Sequence, residues 1–251
     1  MIQALVFDFD GLILDTEISS FQSWQAIYQE YQCELPLQKW AACVGGGVEL
    51  FDPCDYLELL LGAPVAREAL TARRRLLHLE MIGSLGALPG VEDYLLTAKQ
   101  LGLRLGVASS SPRAWVEGHL SRLKLLNYFD HLCCGDEVTH KKPHPELYLS
   151  VLAALGVSAD EAFALEDSPN GVRAAQRAGM FCVAVPNIIT SQLPLVHADM
   201  RLASLADISL TALIAEVERR RVPERQEDRS SITVRSDEVM QASAITPGIE
   251  E

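Results

Sequence analysis

Basic residues are scarce here: 21 Lys and Arg against 34 Asp and Glu leave the 251-residue chain with a formal charge of −13. A chain so charged has no electrostatic footprint for nucleic acid or an anionic bilayer, and neither is expected as a partner. Long apolar runs are also missing, and none reaches the roughly 18 residues a membrane helix needs. The amino-terminal stretch lacks the basic segment, apolar run and cleavage site of a secretion signal. None of the six cysteines (Cys33, Cys43, Cys54, Cys133, Cys134, Cys182) falls in a Cys-x-x-Cys pair or a spaced metal-ligand set. Reduced thiols in a cytoplasmic protein, acting as a monomer, are therefore the expectation. Aromatics make up only 6% of the chain. Phe21, Trp24, Tyr28 and Tyr31, with Ile27, recur at helical spacing and read as a core face, not a ligand box.

Apolar residues reach 49%, enough for a sizeable core. Two textures organise them. Residues 1–8 read as a strand, and residues 16 to about 85 as nearly all helix. Thr16 is a candidate N-cap, and Pro36, Pro53 and Pro64 divide this block into about four helices. The last, Val65 to Leu85, carries Arg73-Arg74-Arg75. That run reads as a solvated helix face; the alternative is that one arginine reaches a substrate anion. From Leu103 onward, strands (Leu103–Ala108, His131–Cys134, Ala162–Leu165, Phe181–Val185) alternate with helices (Arg113–Leu123, Glu146–Leu155, Val172–Ala178). Such alternation implies right-handed β-α-β units: an α/β, doubly wound, mostly parallel, Rossmann-like sheet. Its ligands bind at the carboxyl ends of the strands. The expected division is a core of residues 1–15 and 86–218, a helical insert of 16–85, and a polar, unstructured tail of 219–251.

Four polar clusters fall at those strand ends. Asp8 and Asp10 follow the first apolar run, and Gly11 permits a tight turn away from them. One carboxylate of such a pair can attack phosphorus, and the other can protonate a leaving group and later activate water. Ser109, with the backbone N–H of Ser110, can hold phosphate oxygens, although Ser-Ser-Ser-Pro is also a common loop. Lys142 precedes Pro143, which restricts its backbone, and its cation could neutralise a nucleophile and a transferred phosphoryl group; the alternative is a surface Lys-Lys pair. His144, between two prolines, reads as a loop residue. Glu166 and Asp167 supply further oxygen ligands for a hard cation, and Mg²⁺ fits because it takes few carboxylates and binds alongside phosphate. Ser168 and Asn170 suit a turn capping the next helix.

In this order, the segments DFDGLILDT, VASSS, KKPHPELY and LEDSPNG closely resemble the four motifs of the haloacid dehalogenase superfamily, from Met1 to about Leu213. The two aspartates of the first motif exclude the dehalogenase branch proper. The helical insert resembles the cap of the subgroup holding β-phosphoglucomutase and many sugar-phosphate phosphatases. The resemblance implies Asp8 as nucleophile and Asp10 as general acid/base. It implies Mg²⁺ held by Asp8, the Asp10 carbonyl and Asp167, with Glu166 behind them, and a phosphoryl group held by Ser109, Ser110 and Lys142. It also implies a cap hinging near Asp15-Thr16 and Leu88-Pro89-Gly90, over a small phosphorylated metabolite as substrate.

One departure narrows the activity. The mutase's cap histidine is matched by Ser20, and its arginine after a glycine pair has no counterpart in Gly45-Gly46-Gly47-Val48-Glu49. The expected activity is therefore a Mg²⁺-dependent phosphatase acting through an aspartyl-phosphate. A sugar phosphomutase is the alternative, and a non-enzymatic phospho-acceptor module is more remote.

Overall fold

The computed structural model describes residues 1–41 and 51–221. Cys43, Gly45, Gly46, Gly47 and the residues from 222 onward lie outside the described residues. The five described cysteines are free, and no described helix is long and apolar enough to cross a membrane.

Six strands form one sheet: β1 (Ala4–Phe7), β2 (Arg104–Ala108), β3 (His131–Cys133), β4 (Ala162–Glu166), β5 (Phe181–Ala184) and β6 (Met200–Arg201). They are all parallel, in the order β3-β2-β1-β4-β5-β6. β1 is central, and every residue of Ala-Leu-Val-Phe is buried because helices cover both faces. Successive side chains alternate between two cores. Leu5 and Phe7 join Tyr94, Leu95, Val116, Leu120, Leu213 and Val217 on one face. Ala4 and Val6 join Leu147, Val151, Leu155, Val172 and Ala175 on the other.

The covering helices are α5 (Val91–Gln100), α6 (Arg113–Arg122), α7 (Glu146–Leu155), α8 (Pro169–Arg177) and α9 (Leu210–Arg221). The chain leaves β1 toward β2 on one side and later returns to β4 on the other. A crevice therefore opens at the carboxyl end of β1, where binding sites of doubly wound sheets form.

Between β1 and α5 lie α1 (Thr16–Glu30), α2 (Leu37–Ala41), α3 (Pro53–Leu61) and α4 (Arg67–Gly83). They carry a separate apolar cluster of Phe21, Trp24, Ile27, Tyr28, Trp40, Leu57 and Leu70. The aromatic stripe read from the sequence is thus core, except that Tyr31 is exposed. α3 starts on Asp52, whose carboxylate accepts from Cys54 N, with Pro53 in the first turn, and ends on left-handed Gly62.

Several elements differ from the sequence reading. Thr16 does not cap α1: it is the first helical residue, and Asp15 accepts from Ile18 N at 3.1 Å instead. α5 was not read as a helix, although Val91, Tyr94, Leu95 and Ala98 are buried at helical spacing. β6 is two residues long, too short to show alternation, and among the described residues pairs only with β5. The helix α9 continues through Arg219-Arg220-Arg221, which composition had assigned to the tail. Arg219 and Arg220 pair with Glu216, and Arg221 donates to the carbonyl of Asp160 at 2.7 Å. Cations at a helix carboxyl end are favourable, so a charged run there continues the helix.

Phe163, the second residue of β4, is fully buried. Phe163→Ala is expected to cost about 3–5 kcal/mol in urea unfolding; a loss under about 1 kcal/mol contradicts this packing.

Candidate active site

Asp8 is the first residue past β1, and its backbone N–H donates to Leu165 O at 2.9 Å, fixing it beside the end of β4. Its carboxylate is buried, and Oδ1 accepts from Lys142 Nζ at 2.5 Å. The same ammonium donates to Glu166 Oε1 at 2.5 Å, so Lys142 bridges two acids from neighbouring strand ends. Glu166 is fully buried and has other donors: Tyr148 OH at 2.8 Å, Asp167 N at 3.0 Å, Ser168 N at 3.1 Å and Ser168 Oγ at 3.2 Å. Its place depends on Gly171, where a Cβ would stand 1.8 Å from the carboxylate. Ser168 caps α8 by accepting from Gly171 N at 3.1 Å.

Asp10 is held from the far side. Trp115 Nε1 donates to Oδ1 at 2.9 Å, and Ser111 Oγ donates to Oδ2 at 2.6 Å. Ser109, fully buried, donates to the same Oδ2 at 3.3 Å and accepts from Ser111 N at 3.1 Å. The chain then turns at Gly11, with φ +84°, where a Cβ would meet Asp167 Oδ2. Asn187 Nδ2 ties this turn to β4 by donating to Asp167 Oδ2 at 2.8 Å and Gly11 O at 3.2 Å.

Charge is unbalanced at this point. Asp8, Glu166 and Asp167 place carboxylate oxygens within 4.8 Å of one another, with Lys142 as the cation between them. Burial, with Glu166 and Asp10 nearby, pushes the Asp8 carboxyl up to about 8 despite Lys142. Burial and the charges of Asp8 and Glu166 hold Asp167 well above the usual carboxylate range. Burial opposes the Lys142 charge, but Asp8 and Glu166 outweigh it and hold the ammonium protonated.

A hard divalent cation fits this excess of negative charge. Hydrogen bonds engage Asp8 through Oδ1 and Asp167 through Oδ2, which leaves the second oxygen of each for a cation. Glu166 is already occupied by Lys142, Tyr148 and Ser168, and so suits a supporting place better than a ligand position.

A cavity of about 400 Å³ opens over these acids. Thr16, Glu17 and Ser20 of α1 and His78 of α4 line one side, facing Ser110 of the loop after β2 and Trp115 of α6. Asp8, Asp10, Lys142, Asp167 and Ser110 all reach this cavity, while Ser109 lies beneath it. Sequence reading missed Ser111, Trp115, Tyr148, Asn187 and His78. Trp115 and Tyr148 read as apolar helix positions, and Asn187 sits in a loop with no motif. Two carried a signal: Ser111 as the third serine of its run, and Tyr148 as the last residue of the KKPHPELY segment.

The family profile described as haloacid dehalogenase-like hydrolase matches residues 5–185. The chain belongs to this family. Among relatives of this hydrolase, YhcW of Bacillus subtilis (strain 168), whose name gives it provisionally as a phosphatase, is 46% identical over 214 residues, 85% of this chain and 97% of that one. Hexitol phosphatase B of Escherichia coli (strain K12) is 30% identical over 221 residues, 85% of this chain and 97% of that one. The crystal structure of CbbY from Rhodobacter sphaeroides in complex with phosphate superposes with a TM-score of 0.65 at 28% identity, covering 85% of this chain and all of that one.

Two expectations follow from the geometry. In the metal-free fold Asp8 keeps its proton to about pH 8, against an ordinary value of 3.8. The folded state then binds more protons than the unfolded chain between those values, so its stability falls as pH rises through that window. A cation that replaces the proton relieves this loss, so Mg²⁺ is expected to raise the melting temperature more at pH 8 than at pH 5. The reverse order in a thermal-shift series contradicts the assigned cation site. Trp115→Phe, which removes a donor to Asp10 but keeps a ring, is expected to lower kcat by about tenfold, roughly 1.4 kcal/mol. An unchanged kcat removes Trp115 from the positioning of Asp10.

Proposed function

We propose that this hydrolase is a Mg²⁺-dependent phosphatase of small phosphorylated metabolites, working through an aspartyl-phosphate on Asp8. The observation that carries this reading is the meeting of Asp8, Asp10, Lys142 and Asp167 at one cavity from separate strand ends. The phosphatase relatives support it, and so does the departure at Ser20 from the mutase pattern.

The Asp8 carboxylate attacks phosphorus in line with the ester oxygen. As the new O–P bond forms, the P–O bond to the leaving group breaks, and Asp10 delivers its proton to the departing oxygen. The alcohol leaves. Asp10, now ionised, takes a proton from a water that attacks the same phosphorus, and the bond to Asp8 breaks to release inorganic phosphate. Lys142, fixed by Glu166, offsets negative charge on Asp8 and on the phosphoryl oxygens. Ser109 and Ser110 hold those oxygens, with the Ser109 hydroxyl turning from Asp10 to do so. Asp8, the Asp10 carbonyl and Asp167 would hold the Mg²⁺, which when bound supplies further neutralisation of the transferred group. α1 and α4 serve as the cap, opening and closing to admit substrate and water.

The test is phosphate release from a panel of sugar and polyol phosphates with Mg²⁺. Asp8→Asn is expected to lower turnover by at least about 10³-fold. Wild-type turnover by Asp8→Asn removes the covalent route, and conversion of glucose 1-phosphate to glucose 6-phosphate, with no free phosphate, replaces the phosphatase reading with the mutase one.

A further inference from the structure

Among the described residues, His, Cys, Asp and Glu side chains gather closely enough to hold a metal ion in two places. One is the carboxylate group of Asp8, Glu166 and Asp167. The other is His140, His144 and Glu146, whose ligand atoms all lie within 4.8 Å of one another. This second group flanks Lys142 in sequence but stands on the outside of the same loop. The Lys142 side chain runs inward and is 5% exposed, whereas those of His140 and His144 are 61% and 50% exposed. None of the three lines the catalytic cavity.

Local structure aims the three groups at one point. Glu146 opens α7, and the loop fixes its carboxylate: Oε1 accepts from Thr139 N at 2.8 Å and Oε2 from His140 N at 3.0 Å. His144 stands between Pro143 and Pro145, which restrict the backbone on both sides of it. The two imidazole rings lie side by side, with centroids 4.6 Å apart. Both turn Nδ1 to the same oxygen, Glu146 Oε2, at 3.1 Å from His140 and 3.7 Å from His144. His144 Nδ1 accepts from Glu146 N at 3.3 Å, so it carries no proton to give the carboxylate. A ring nitrogen and a carboxylate oxygen that face each other without a proton repel, and a cation between them turns the contact attractive. Such an ion displaces one long amide bond and leaves Glu146 held at Oε1. Ligands of a tetrahedral ion with bonds of about 2.0–2.1 Å stand roughly 3.3 Å apart. The observed 3.1 and 3.7 Å therefore need only small side-chain rotations.

We propose that His140, His144 and Glu146 form a second metal site, which takes a transition-metal dication of the Zn²⁺ class and clasps the Lys142 loop from outside. Imidazole nitrogen suits Zn²⁺, Ni²⁺ and Cu²⁺, whereas Mg²⁺ keeps to oxygen ligands. The two sites therefore differ in kind: carboxylate oxygens beneath the cavity, and two nitrogens with one carboxylate on the outer surface. Three protein ligands leave a further position open to water on the exposed side. The bound ion links residue 140 to residues 144 and 146, closing the segment that delivers Lys142 to Asp8 and Glu166. This site stands whether or not the protein hydrolyses phosphate esters.

The test uses the full-length protein without an affinity tag. Asp167→Asn weakens the carboxylate centre and leaves the outer loop untouched, so it isolates the second site. Calorimetry with Zn²⁺ on Asp167→Asn is expected to show one ion bound per chain. Adding His140→Gln or His144→Gln is expected to lower that affinity by at least about tenfold. Both imidazoles are exposed, so either replacement keeps the fold. Zn²⁺ is expected to raise the melting temperature of Asp167→Asn and to lose that effect in the two histidine variants. Cu²⁺ supplies a signature of the ligands: its electron paramagnetic resonance spectrum is expected to show coupling to two imidazole nitrogens in Asp167→Asn and not after His144→Gln. Unchanged Zn²⁺ affinity in both histidine variants overturns the site, and so does a Cu²⁺ spectrum with oxygen ligands alone. Loss of all Zn²⁺ binding in Asp167→Asn itself assigns the ion to the carboxylates and also rejects it.

Discussion

The Lys142 ammonium, buried between Asp8 and Glu166, is the contact around which this site is built. A buried ammonium is costly unless its partners and their remaining hydrogen-bond capacity are provided for. That requirement explains the surrounding residues. Glu166 takes one donor from Lys142 and others from Tyr148, Ser168 and the backbone of Asp167. Gly171 has no side chain because the Glu166 carboxylate occupies that space. The lysine arrives on the loop before α7, so loop, helix and two strand ends are tied at one charged point. Even so, Asp8 and Asp167 remain under-neutralised, and a divalent cation fits that excess of negative charge.

The sheet brings the parts together. β1 is central, β2 and β4 flank it, and all their carboxyl ends point the same way. Asp8, Ser109 and Asp167 are far apart in sequence yet each follows one of these strands directly. The parallel arrangement does this because right-handed crossovers return each strand in the same sense. Side chains that need water or ions then gather where the sheet stops, and apolar side chains fill both faces behind them.

The two sides of the cavity rest on different bodies of packing. Asp8, Ser109 and Asp167 are anchored to the ends of the sheet's strands, backed by its two apolar cores. The groups that line the opposite wall of the cavity belong to α1 and α4, which pack around their own cluster of Trp24, Ile27, Tyr28 and Leu70. Substitutions on α4 can therefore reshape that wall of the cavity without disturbing the contacts of Asp8 or Lys142.

Much of this protein was legible in the linear sequence. The apolar runs ending in Asp8, Ser109 and Glu166-Asp167 show strands with polar tips, because a buried parallel strand is apolar throughout and turns polar only where it leaves the sheet. The spacing of Phe21, Trp24, Ile27 and Tyr28 likewise marks a helix with one buried face. Other features needed three dimensions. Trp115 and Tyr148 look like core residues in sequence, and only the packing shows that their polar atoms reach Asp10 and Glu166. Composition alone placed Arg219–Arg221 in a tail, although contacts with Glu216 and the Asp160 carbonyl continue the helix. Three adjacent arginines are equivalent as letters, and helix rotation alone sends Arg74 inward and its neighbours to solvent. Local pattern determined the elements and the chemistry at their ends. Which side chains converge, and which charges go unpaired, was decided by the tertiary structure, because both depend on contacts between segments distant in the chain.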